Sequence, residues 1–529
     1  MNLSHHILMG IIISFFVSNT MVQASNVGKW RRYVVLLEND TYDGNPFELE
    51  VDGIFTHAAS GTSITLPGYY AGKNKWKIGF MPNRIGEWTF VTCSSDPNLN
   101  RVMGPINCVE SGLPGMLTAD PNNPKKWKFT DGNHVVPMAF RMEFFFEPAS
   151  TLEFTAAADF LKNGVKGHMF ETRLTDENGW YGGRNDYIFS GSWINHTFDI
   201  AIWDRMEERM EILTERGLGA HVMFYSDDAG KHGRGGRSIT EALVIRYVIA
   251  RLAGYPIVLF NTGIDISEYR LGAGIDWFGA QIESLDPYNH SRSSRHGGGS
   301  GRIIMDNQNF NSDGERTASI YNIKQAFDDY NFPANCDDAW GENYGSHSSK
   351  DHTPADIRRA FWKCTIVGGN GGLVRGGGNG LPDDGYFSIK QFGVDLESEQ
   401  WLKLINPFIE EKLGDTFGVM AFNKSLVCGT KCYCLTDQSK TKILYFLIGE
   451  NDTYDPGGGG NITVKLSGLS GTYNAIWFNP RTGAESNVEL GILAGGSNYV
   501  ISPPDKDDWV LLLTLQITTS SPSSNASNG

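Results

Sequence analysis

Tyr255-Pro-Ile-Val-Leu-Phe-Asn-Thr-Gly-Ile-Asp-Ile-Ser-Glu-Tyr-Arg270 is the stretch from which the fold is read. Residues 256–260 are a short, almost wholly apolar run, the pattern of a parallel strand buried on both faces. A helix-like segment precedes the run and ends in Gly254-Tyr-Pro256. The run stops in Asn261-Thr-Gly-Ile-Asp265, which is polar and turn-prone. Where strands and helices alternate around a barrel, chemistry sits at the carboxyl ends of the strands. Further along, Phe332-Pro-Ala-Asn-Cys-Asp-Asp-Ala-Trp-Gly-Glu342 has the same form.

Outward from these two segments, residues 119–413 alternate between strand and helix patterns. The strand candidates are 135–140, 165–171, 219–225, 256–261, 277–282, 302–306, 332–336 and 372–374. Helical patterns lie between most of them. Residues 199–216 carry Ile200, Trp203, Met206, Met210 and Leu213 on one side. Ser238-Ile-Thr-Glu241 has the form of a capping box, and Thr353-Pro-Ala-Asp supplies an N-cap followed by an N1 proline. Eight strands over this length predict a (β/α)8 TIM barrel. The competing doubly wound sheet would carry a glycine-rich phosphate loop after its first strand, and none is present. Residues 25–118 and 414–515 instead show short alternating strands between Gly, Pro and Asn breaks, which predicts two β-sandwiches. The expected architecture is multidomain: a central (β/α)8 barrel flanked by N-terminal and C-terminal β-sandwich domains. Residues 516–529 are Ser/Thr/Asn-rich, the composition of a disordered tail.

The first 24 residues read as a signal peptide, with an apolar stretch from Leu8 to Val17 and Val22-Gln-Ala24 as the cleavage site. The expected destination is therefore outside the cytoplasm, with no membrane association once the signal is removed. A formal net charge of −15 argues against non-specific nucleic-acid binding. Seven cysteines permit disulfides and leave one odd; Cys93 and Cys108 are placed to close a small loop. Sequons stand at Asn39, Asn195, Asn423, Asn451, Asn461 and Asn525.

Cleaving a glycosidic bond takes one protonated acid at the leaving oxygen and one carboxylate as nucleophile or base. A separation of about 5.5 Å gives retention of configuration. By strand count, Asp265 follows the fourth strand and Asp337 the seventh, a pairing suited to acid/base and nucleophile. Strand-end aspartates also cap helices or fix turns.

Three segments carry a resemblance. Gly44-Asn-Pro-Phe-Glu-Leu-Glu-Val-Asp-Gly-Ile-Phe-Thr-His57, with Phe80-Met-Pro-Asn-Arg-Ile-Gly-Glu-Trp88, resembles the immunoglobulin-like module that precedes barrels in secreted polysaccharide-degrading enzymes. Leu259-Phe-Asn-Thr-Gly-Ile-Asp265 and Pro333-Ala-Asn-Cys-Asp-Asp-Ala-Trp-Gly-Glu342 resemble the fourth- and seventh-strand segments of the apiosidase-like glycoside hydrolases. Trp477-Phe-Asn-Pro-Arg-Thr-Gly483 and Pro503-Pro-Asp-Lys-Asp-Asp-Trp-Val-Leu-Leu512 are similar to the closing β-sandwich that often bears a collagen-binding label. The resemblance implies a hydrolase acting on a polysaccharide or oligosaccharide, with Asp265 as acid and no cofactor. The chain departs from the family pattern twice. It has Gly-Ile-Asp where Gly-Gly-Asp is usual, and Asp337 where Glu is usual. Asp338 and Glu342 are therefore alternative nucleophiles.

Two basic loops, 227–237 and 288–302, are expected at the same end of the barrel. Their Arg234, His290, Arg295 and His296 point to an anionic glycan, since guanidinium forks suit carboxylates and sulfates; solvated loops are the alternative. Glu171 is expected to orient substrate or to pair with Arg173. Asn261 and Trp340 are further substrate-binding candidates, and Trp340 would stack on a sugar face. No metal-ligand motif or serine nucleophile elbow is present. Two other classes fit less well: a non-catalytic carbohydrate- or matrix-binding protein with a degenerate barrel, and a polysaccharide lyase.

Overall fold

The computed structural model describes residues 25–142, 150–174, 197–225, 237–263, 272–295, 304–306, 319–329, 331, 333, 335–342, 351–369, 371–376, 397–429 and 431–516. At the N-terminus a five-stranded and a three-stranded sheet face each other. Phe55 from the first stacks on Phe80 from the second at 4.0 Å, with Trp88 buried beside them. Cys93 and Cys108 are both free thiols, against expectation. The antiparallel register explains why: Cys108 pairs with Gly86, at the far end of the strand from Cys93. The sequon residue Asn39 is buried, and its amide nitrogen donates to Asp96, so the fold itself engages the atom a glycan would modify.

The C-terminal segment forms a second two-sheet sandwich of six and three strands. Its core gathers Ile462, Val464, Trp477, Trp509 and Leu511. The Asp505–Asp508 turn is taken up by the protein itself. Asp505 accepts from the Trp509 indole and Arg481, and Asp507 and Asp508 accept from Arg359 and Arg358.

Between the sandwiches lies an all-parallel sheet. In chain order its main strands are Met138–Arg141, Met169–Arg173, Gly219–Met223, Val258–Asn261, Ser291–Arg295, Ile304–Asp306, Asn335–Glu342 and Gly371–Gly376. Each of the first six pairs with the next. The eighth pairs with both the first and the seventh, and Asp306 pairs with Asn335. Helices α1 (Thr151–Asp159), α2 (Ile200–Glu215), α3 (Ile239–Leu252), α4 (Gly272–Leu285), α5 (Ile320–Asp329) and α6 (Pro354–Val367) fall between the strands.

Two strand readings are corrected. Residues 277–282 lie in α4, where Ile275, Phe278, Gly279 and Ile282 make a buried stripe of helical period. The fifth strand is instead Ser-Arg-Ser-Ser-Arg295, the opening of what reads in the sequence as a basic loop. Strand seven runs through Glu342, so Asp337 and Asp338 lie inside it. They sit where its register against strand eight slips, between Cys336 and Trp340.

Local sequence sets the helix starts. Thr353 and Asp356 close a full capping box at α6 behind Pro354. At α3 only half the box forms. Ser238 accepts from the Glu241 N–H, while the Glu241 carboxylate takes the Tyr225 hydroxyl and the Arg237 N–H.

The helices α3 and α6 are buried nearly all round because each lies between the parallel sheet and a sandwich. Beside α3, Arg32 of the first sandwich donates to Tyr69, Tyr255 and Glu207, and Arg251 pairs with the same Glu207. The two guanidiniums hold the Glu207 carboxyl down at about 2 against the opposing effect of burial. On α6, Lys363 is held between Asp452 and Asp455, and Arg358 and Arg359 meet Asp508.

Candidate active site at the strand ends

Side chains of paired parallel strands at the same register share a face. Ala139, Met169 and Gly219 form one row with Ile257 beside them; Arg141, Glu171, His221 and Leu259 form the next, and Arg173, Met223, Asn261 and Ser293 the third. The first row is apolar. It packs with Leu259 above it and with Leu117, Trp127 and Phe129 of a preceding hairpin. A Cβ at Gly219 would lie 1.8 Å from the Ile257 carbonyl oxygen, so only glycine fits there. Towards the carboxyl ends the same face turns polar, although it stays buried.

That polar cluster is a directed chain of contacts. The Gly263 N–H donates to Asn261 Oδ1 at 2.9 Å, which fixes the amide. Asn261 Nδ2 then points at His221 Nε2, 3.1 Å away. Because the amide nitrogen donates, Nε2 accepts, and the neutral ring carries its proton on Nδ1. Nδ1 faces Glu171 Oε2 at 3.6 Å. The other Glu171 oxygen takes the Arg141 Nε–H at 2.5 Å. Gly263 has φ +151°, a conformation L side chains rarely adopt, which accounts for the glycine directly after strand four. Arg173 lies one row nearer the strand ends than Glu171 and is buried with it; the Thr262 and Ser293 hydroxyls are buried without a hydrogen-bond partner among the described residues.

The expected site residues divide into four groups. Glu171 and Asn261 come together, with His221 between them. The partner brought to Glu171 is Arg141, one strand over, where the sequence suggested Arg173. Arg295 ends strand five, in backbone register with Asp306, and Trp340 and Glu342 lie at the end of strand seven. His290 does not belong to the site. It precedes strand five, at the opposite end of the sheet, where its ring meets Asp286 and donates to the Tyr255 carbonyl. Asp265, Arg234 and His296 lie outside the described residues. His221 and Arg141 also belong to this cluster, and the sequence reading named neither as a site candidate. Nothing in an apolar strand pattern separates a core histidine from one turned to the inner face; the usable signal was strand alternation, which places His221 in phase with Glu171. His168, by contrast, is structural. Its Nδ1 accepts the Met138 N–H, and burial followed by the Lys162 charge pushes its pKa down to about 3.

Residues 26–95 match the model of DUF5060, a domain of unknown function, and residues 452–514 match one described as "Putative collagen-binding domain of a collagenase". No curated protein matches the chain. Among solved structures, a "putative glycoside hydrolase" from Bacteroides vulgatus superposes with a TM-score of 0.71 at 17% identity, over 93% of this chain and 100% of that one. A glycoside hydrolase family 5 structure from the same organism superposes with a TM-score of 0.56 at 13% identity, over 76% and 93%. Another described as "Glycoside hydrolase" gives 0.56 at 12%, over 76% and 97%. At these identities the likeness is one of fold.

Proposed function

We propose that the chain is a secreted glycoside hydrolase whose parallel sheet closes as a (β/α)8 barrel. The pairing of Asp306 with Asn335, which joins strand six to strand seven, supports closure. The observation that carries the functional reading is the buried Arg141–Glu171–His221–Asn261 chain at the carboxyl ends of the strands. Charged groups buried at that density cost folding energy that apolar packing would not, and they stand where barrels place their chemistry. Asp265 is the proposed general acid/base and Asp337 the nucleophile, with Asp338 and Glu342 as alternates on the same strand. Protonation of Asp265 near neutral pH requires burial or the second carboxylate to raise its pKa. Glu171, His221 and Asn261 act as positioning residues. The substrate is an O-linked polysaccharide or oligosaccharide. Arg173 and Arg295, with Arg234 and His296 in the adjoining loops, favour a uronate-bearing or sulfated one. No cofactor enters this mechanism.

The test is reducing-sugar release from neutral, uronate-rich and sulfated polysaccharides by the wild-type chain, Asp265→Asn and Asp337→Asn. Loss of at least about a thousandfold in both variants is expected for a two-carboxylate mechanism. Activity that survives in Asp337→Asn moves the nucleophile to Asp338 or Glu342. Release of an unsaturated, ultraviolet-absorbing product would make the enzyme a lyase. Silence of the wild type on every glycan overturns the hydrolase reading in favour of a binding protein. The slip of register at Asp337 is the observation that keeps that second reading open.

A further inference from the structure

Away from the strand ends, a groove of about 420 Å³ opens between α5 and the edge of the C-terminal sandwich, within the range of small-molecule sites. One wall is a helical stripe. Tyr321, Lys324, Gln325 and Asp328 recur at the spacing that puts residues on one helix face, while Ile320 and Ile323 are buried. The other wall is the short edge strand Ala421–Phe422, paired with Cys432–Thr436. That pairing brings the rings of Phe422 and Tyr433 to 6.0 Å at 31°. Lys324 and Lys424 approach the Phe422 ring at 5.0 and 5.9 Å, and Asp328 pairs with Lys324. The walls are held in place: the Ile320 N–H, at the start of α5, donates to Asp455 of the sandwich at 2.9 Å.

Core packing does not explain Tyr321, which is 73% exposed. Its ring contributes little to folding from that position. Three aromatic rings rimmed by two amines, an amide and a carboxylate match the two surfaces of a pyranose. Ring faces meet its C–H surface, and the polar rim meets its hydroxyls. The second amine, Lys424, gives the rim a cationic excess within a chain of net charge −15.

We propose that this groove is a second, non-catalytic glycan site that holds an acidic segment of the polysaccharide chain while another segment occupies the strand ends. The inference rests on the proposed function only in taking a glycan as ligand. The test is affinity electrophoresis of the full chain in gels containing polygalacturonate, chondroitin sulfate or xylan. The wild type, Tyr321→Ala and Lys424→Ala are compared, with mobility in glycan-free gels as the fold control. Retardation of the wild type by an acidic polysaccharide is expected, weakened about fivefold or more in apparent affinity by either substitution. Retardation of Tyr321→Ala equal to wild type overturns the site, as does a wild type that none of the three glycans retards. Reducing-sugar release is scored separately. A chain that hydrolyses without Tyr321-dependent retardation loses the groove and keeps the hydrolase. One retarded through Tyr321 without hydrolysing keeps the groove and loses the hydrolase.

Discussion

Lys126 is the residue whose burial is hardest to reconcile with its charge. It sits where the hairpin register slips between Asn123 and Trp127, and the slip turns it inward. Its Nζ lies 4.4 Å from the centre of the Phe417 ring and has no hydrogen-bond partner among the described residues. Burial pushes its pKa down to about 7. Between about 7 and the ordinary lysine value the unfolded chain binds the proton more tightly, so stability rises with pH across that window and is lowest below it. Lys126→Met should therefore stabilise the protein at pH 6–7 by roughly 2–4 kcal/mol, a gain that fades as pH passes about 10. Urea melts at the two pH values check this, and an unchanged midpoint at pH 6 would sink it. The strand-end residues show how far sequence reaches at this scale. That Glu171 and Asn261 join one cluster was legible because both stand at the carboxyl ends of strands. His290 was misassigned because, with strand five unrecognised, nothing in the sequence said that it precedes a strand.

At the scale of elements, apolar periodicity recovered the positions of seven strands and failed on the fifth. Ser-Arg-Ser-Ser-Arg295 has no apolar residue, and it is a strand because Leu259, Phe260 and Asn261 pair with it. The pairing partner decides such a strand, and a local pattern cannot contain it. The α6 helix illustrates the converse. Its start is fully written in Thr353-Pro354, but its burial all round depends on a sandwich that begins some distance along the chain. Lys363 is wholly buried between Asp452 and Asp455. Lys363→Met leaves the two carboxylates only the longer cation contacts with Arg359 at 3.9 Å and Lys431 at 3.7 Å, and should cost about 3–5 kcal/mol. Restoration of most of that loss in Lys363→Met/Asp455→Asn, measured by urea melts, would attribute it to the stranded charge. An equal cost in both variants would attribute it to packing.

For the whole molecule, composition shifts along the chain were enough to indicate two β-rich flanks around an alternating centre. How the three parts bind to one another was not legible, since those contacts join residues far apart in sequence. Trp362 of α6 reaches Phe446 and Phe478 of the second sandwich, and α3 buries Tyr247 against Phe198 at 3.8 Å beside the first. The flanks thus complete the core of the centre. A chain ending at residue 413 would bare Trp362 and Phe408 together and should accumulate as insoluble or dye-binding material. A soluble, monodisperse product with a single cooperative melt would show that the centre folds alone.

The hairpin Leu117–Phe129 covers one end of the inner face of the parallel sheet. Its Trp127 and Phe129 fill the amino-terminal end of the inner face together with Met169 and Ile257, so that end is stoppered. Under the proposed function, a glycan then has one way in, and whatever is released at the strand ends leaves through the mouth by which it came. On that reading an uncleared product blocks the next chain, and turnover on long substrates becomes a question of exit as much as of bond breaking.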